Sequence, residues 1–116
     1  MTDAATYRKR KEALVAALRS GKYEQGKDWL RKGDAFCCLG VACDISGLAE
    51  WVDGTYMQDT LALPFEVCRF YGFVWSNGRV HAGPPLTDMN DSGATFTQIA
   101  DWIDSEPAGM FTWSKA

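Results

Sequence analysis

Residues 35–45 read Ala35-Phe36-Cys37-Cys38-Leu39-Gly40-Val41-Ala42-Cys43-Asp44-Ile45, apolar nearly all round and without a clean period of two. A half-exposed strand alternates, and a surface helix keeps a polar face. This stretch does neither, so it predicts a helix from about Phe36 to Ile45 that is buried on every side. Asp34 is placed to cap its start and Gly47 to end it. Gly40 in mid-helix weakens a helix, and makes sense where another element comes very close.

Outward from this segment, Ala4 to Arg19 predicts a helix with Tyr7, Leu14 and Leu18 on one face and Arg8, Lys9 and Lys11 largely off it. Gly21 is its stop. Lys22 to Gly33 reads as a polar connection whose Trp29 and Leu30 cover a core edge. Two hairpins are signalled by turn chemistry. Asp53-Gly54 lies between Trp51-Val52 and Thr55-Tyr56, and Asn77-Gly78 between Val74-Trp75-Ser76 and Arg79-Val80-His81. Both dipeptides suit a type I′ turn, which sets Trp51 opposite Tyr56 and Trp75 opposite Val80. Pro64 and Gly72 bracket a short helix. Thr95 and Gln98 form a capping box ahead of the stripe Phe96, Ile99, Ala100 and Ile103. The expected fold is α+β: a small single domain over residues 1–116, with three to four helices around a buried central helix and two short β-hairpins. Leu14, Leu18, Phe36, Leu39, Val41, Cys43, Phe96, Ile99 and Ile103 are its expected core.

With 116 residues, 47% of them hydrophobic, the chain has the size and apolar content for one core, which excludes a disordered chain. No apolar run approaches the roughly 18 residues of a membrane span, and Met1-Thr2-Asp3-Ala4-Ala5-Thr6 lacks a signal-peptide pattern. Cys37, Cys38, Cys43 and Cys68 are spaced badly for a disulfide framework. These features together predict a cytoplasmic protein with reduced thiols. Charge is uneven. Residues 1–33 carry nine Lys/Arg against four acids, a net of +5 in a chain of net −3, so the remainder is −8. A basic end meets either nucleic acid or its own acidic remainder. Only Arg8 to Lys11 is dense, which disfavours nucleic acid.

Candidate chemistry is sparse. The four cysteines and His81 offer zinc-type ligands, but no CxxC knuckle is present. Cys37 or Cys38 near a helix start, with His81 as a base oriented by Asp88, Asn90 or Asp91, would make a thiol enzyme; nothing in the spacing brings His81 to the cysteines. Thr87-Asp88-Met89-Asn90-Asp91-Ser92-Gly93 is acidic, but the twelfth position from Asp88 is Ile99 where a calcium loop needs glutamate. Turn and cap formation account for it better. No metal, cofactor or catalytic residue is expected.

Leu18-Arg19-Ser20-Gly21-Lys22-Tyr23-Glu24-Gln25-Gly26, the stretch Phe36 to Asp44, and Met89-Asn90-Asp91 leading to Phe96-Thr97-Gln98-Ile99-Ala100-Asp101-Trp102-Ile103 carry a resemblance. Together they resemble a family of small uncharacterised proteins of actinobacterial phages and prophages, marked by a CCLGVxCD segment and an IADWI helix. Met89 stands where members more often have leucine. The resemblance implies a small product made inside a bacterium and working by stoichiometric binding, for example by blocking a host protein such as a defence factor. It supplies no catalytic residue. Abundant aromatics fit an interface, and the expected binding residues are Trp51, Tyr56, Trp75, His81, Asn90 and Asp91. The alternative is capture of a nucleotide-like small molecule between the hairpins and the last helix, lined by Trp75, His81 and Asn90. A homo-oligomeric contact stays open, and no membrane partner is expected.

Overall fold

The computed structural model describes residues 2–113. Helix α1 spans Ala4–Arg19, capped by the Asp3 carboxylate, which accepts the Thr6 N–H. Short strands β1 (Glu24–Gln25), β2 (Arg31–Lys32) and β3 (Ala35–Phe36) follow, then helix α2 (Cys38–Ser46). Strands β4 (Trp51–Val52) and β5 (Thr55–Tyr56) precede helices α3 (Phe65–Tyr71), α4 (Leu86–Asp91) and α5 (Phe96–Asp104). The three-stranded sheet has order β1-β3-β2, with β1 parallel and β2 antiparallel to β3. This is the α+β class expected, with five helices and two small sheets among the described residues.

The central helix is where the sequence places it, but it starts later. Ala35 and Phe36 are extended because they pair on both sides, with β1 and with β2. The cap is therefore Cys37, whose Sγ accepts the Gly40 N–H, while Asp34 stands in solvent. Cys38 through Cys43 are all buried. Gly40 has the role its position suggests. A methyl group there would lie 2.7 Å from the Leu30 carbonyl carbon and overlap the carbonyl oxygen outright. That same oxygen accepts the Cys37 N–H, so the chain at Leu30 lies directly against the first turn of α2.

Of the two expected hairpins, one forms as read and one does not. Asp53 (φ 50°) and Gly54 (φ 80°) make the turn, and Trp51 faces Tyr56. At Asn77-Gly78 only Gly78 adopts positive φ, because the Asn77 side chain accepts the Arg79 N–H in a local turn instead. The flanking residues pair elsewhere: Val74 N–H donates to Met110, His81 N–H to Ala108, and Phe73 bridges to Phe111 with stacked rings 4.8 Å apart. The Trp75–Val80 pair does not exist. The second hairpin of the molecule is instead β2–β3, turning at Gly33-Asp34. Where the residues of 87–93 suggest only turn and cap formation, helix α4 forms; Pro84-Pro85 leads into it and Leu86 anchors it in the core.

All nine expected core residues are buried. Helix α1 packs chiefly on α5 and α2. Its buried face holds Leu14, Val15 and Leu18, and also Lys11, which was expected outside. Lys11 Nζ reaches Glu106 at 2.8 Å and Asp104 at 3.3 Å. Arg8 bonds the Glu106 carboxylate and lies over the Trp113 ring, Arg10 lies over Phe70, and Arg19 pairs with Asp101. Most of the dense basic cluster thus faces the chain's own acidic and aromatic residues.

Two tests follow from this packing. Gly40→Ala should lower unfolding free energy by at least about 3 kcal/mol in a urea titration, since backbone has to move. Gly47→Ala, where only a left-handed φ of 66° is at stake, should lower it by about 1 kcal/mol. The second concerns Glu106. Burial pushes its carboxyl up, but hydrogen bonds from Arg8 and Lys11 and the charges of both outweigh this and hold it below its ordinary value of 4.5. A depressed carboxyl contributes fully above its unfolded value and loses that contribution as pH falls through the folded one. The stability difference between wild type and Glu106→Gln should therefore be largest near neutrality and shrink below about pH 4.5.

Candidate functional site

A cleft of about 320 Å³ lies between α4, the chain at Asp28 and the segment 61–62. Asp28, Asp88 and Asp91 line it with Asn77 and Thr87, and Leu61, Ala62 and Cys37 supply its apolar wall. Its construction begins at Asn90, which is fully buried. The Asn90 Oδ1 accepts the Cys38 N–H at 3.2 Å and a Gln25 amide N–H at 3.0 Å. Its Nδ2 donates to the Gly26 carbonyl at 2.8 Å and to Asp91 at 3.2 Å. One side chain thus ties α4 to the start of α2 and to the chain beyond β1. Amides are suited to this, because they donate and accept in one plane.

Asp91 then orders the rim. Its Oδ1 accepts the Asp28 N–H at 2.9 Å, and Asp28 turns with φ 71°, a conformation that Asp and Asn tolerate better than most residues. Asp28, Asp88 and Asp91 pair with no Lys, Arg or His among the described residues. Three carboxylates line one cleft without an ion pair among the described residues.

Cys37 lies in the cleft wall but is built as a cap. Burial pushes its thiol above the ordinary value, the Gly40 and Leu39 N–H groups offset this only in part, and the Asp91 charge pushes the same way as burial. Burial raises Cys38, Cys43 and Cys68 too, Cys68 to about 11. Reactive cysteines need the opposite environment. His81 is exposed and outside the cleft, its backbone held by Ala108 and its ring beside Gly109. No group of three or more His, Cys, Asp or Glu converges as metal ligands would among the described residues.

The other expected binding residues divide. Asp91 lines the cleft and Asn90 holds it together. Trp51 and Tyr56 belong to an aromatic column with Tyr23 and Phe36. Tyr56 is wholly buried, its hydroxyl accepting the Ala49 N–H, so it is no surface anchor. The Trp51 indole donates to Asp44, and the Tyr23 hydroxyl donates to the same carboxylate. Burial and that neighbouring charge push Tyr23 up to about 12. Trp75 is exposed, and none of Trp75, His81 and Asn90 is among the residues that line the cleft. Asp28, Leu61 and Asn77 were missed, because they come from separate loops with no shared local pattern.

Residues 7–83 match the family model described as a domain of unknown function, DUF8296. The chain belongs to that family. The matched part of this DUF8296 protein covers α1 to α3 and the Asp28, Cys37, Leu61 and Asn77 side of the cleft; α4, with Asp88 and Asp91, lies beyond it. Searches of curated proteins and of solved structures returned no match.

Removing the Asn90 side chain should collapse this arrangement. Asn90→Ala leaves the buried Cys38 N–H and Gly26 carbonyl without their partner, and should cost about 2–4 kcal/mol of stability. Hydrogen exchange should report the loss first at Cys38 and Asp28.

Proposed function

We propose that this DUF8296 protein is a phage-type accessory protein that acts in the bacterial cytoplasm by stoichiometric binding, blocking or modulating a host protein. The observation that carries the reading is the exposure of large apolar side chains on the two segments that give the cleft Leu61, Ala62 and Asn77. Leu61 is 58% exposed, Phe65 68% and Trp75 50%. They stand on two chain segments joined by the Leu63 N–H to Ser76 carbonyl bond. Ordinary surfaces scatter such residues singly, and a contiguous group marks a recognition face. Aromatic anchors at such a face carry a large share of binding energy.

The small-molecule alternative draws less support. A cleft lined by three carboxylates repels the phosphates of a nucleotide. The likeness of Phe36 to Asp44 and of the Asn90-Asp91 region to phage and prophage proteins supports the bacterial setting.

Tagged protein should retain one host protein from bacterial lysate, and the purified pair should form a complex of fixed ratio by light scattering. Phe65→Ala/Trp75→Ala should weaken that complex at least about tenfold while melting like wild type. If turnover of a captured small substrate accompanied the binding, the stoichiometric reading would fail.

A further inference from the structure

The apolar face of Leu61, Phe65 and Trp75 has a chemically defined neighbour. Leu61 belongs at once to that face and to the wall of the cleft that holds Asp28, Asp88 and Asp91. Whatever covers Leu61 therefore also meets three carboxylates that no ion pair among the described residues neutralises. Arg69 lies over the Phe65 ring and Arg79 over the Trp75 ring, 5.6 and 5.7 Å from their centroids. Neither reaches the acids. An occupant that is apolar alone would desolvate the carboxylates without a partner, which is costly.

Charge complementarity therefore selects among occupants. A second copy of the same face brings its own Asp28, Asp88 and Asp91 against these, and like charges oppose the contact. Nucleic acid and anionic lipid are repelled for the same reason. Resting on the binding-protein reading above, we infer that the face receives an arginine-bearing segment of a partner protein. Its guanidinium enters the cleft toward Asp28, Asp88 and Asp91, and adjacent apolar side chains cover Leu61, Phe65 and Trp75. Guanidinium suits the site better than ammonium because its planar fork donates to several carboxylate oxygens at once.

The test uses the full chain, ¹⁵N-labelled, titrated with a capped peptide of alternating leucine and arginine, with the same peptide bearing citrulline for arginine, and with spermidine. The arginine peptide should shift the amides of Asp28, Asn77 and Asp88. Its affinity should fall about tenfold in Asp28→Asn/Asp88→Asn, a variant whose asparagines keep the shape and tolerate the Asp28 turn. Citrulline should lose a similar factor. Equal binding of the citrulline peptide, or unchanged binding by the double variant, overturns the inference. So does spermidine binding as tightly as the peptide, which would make the cleft a site for small cations. The two readings fail separately. A host protein held through Phe65 and Trp75 but indifferent to Asp28→Asn/Asp88→Asn removes this inference and leaves the binding protein. Charge-dependent peptide binding without any captured host protein supports this inference and removes the broader reading.

Discussion

The contact between the Leu30 backbone and the bare Cα of Gly40 sets the arrangement of everything N-terminal to the cleft. A helix normally holds a neighbouring chain at the distance its side chains require. At Gly40 there is none, so the Leu30 carbonyl reaches the first turn of α2 and accepts the Cys37 N–H. The Leu30 N–H in turn donates to Thr60, at 2.7 Å, which brings the 60–62 segment alongside. Asp28 and Leu61 become opposite walls of one cleft because both are registered on Leu30.

Asn90 is the second lock on the same region, made from the other direction. Its amide caps the Cys38 N–H and holds the Gly26 carbonyl, so the segment trapped by Gly40 is also pinned by α4. A buried amide is expensive unless every group on it is used. Here the donors and the acceptor oxygen are all used, and the neighbouring Asp91 extends the network to Asp28. The order of the cleft is thus a property of buried hydrogen bonding, while its charge comes from Asp28, Asp88 and Asp91, which form no ion pair among the described residues.

That placement of charge is a global decision. Arg8 and Arg19 of α1 pair with Glu106 and Asp101, Arg8 lies over Trp113, and buried Lys11 is held by Glu106 and Asp104. Three of the nine cations in the first 33 residues, Arg8, Lys11 and Arg19, pair with acids of α5 and of the chain just after it. The acids of the cleft face are left over. One electrostatic arrangement thereby closes the fold at one side and leaves a negative cleft at another.

By itself the sequence determined four of the five described helices, the nine expected core positions and one hairpin. Local signals are strong there: the capping box at Thr95, the apolar run at Cys37 to Cys43, the Asp53-Gly54 turn, and the glycine that only close approach explains. These are decided by residues within a few positions of one another, so they are legible without a partner. Tertiary structure decided the rest. Asn77-Gly78 carries the same turn chemistry as Asp53-Gly54, yet its flanks pair with residues 108–111, because a stacked Phe73–Phe111 contact outweighs a local preference. Ala35-Phe36 became a strand because two other strands were there to pair with it. The cleft was illegible for the same reason: Asp28, Leu61, Asn77 and Asp91 meet only once Gly40 and Asn90 have brought four separate segments together.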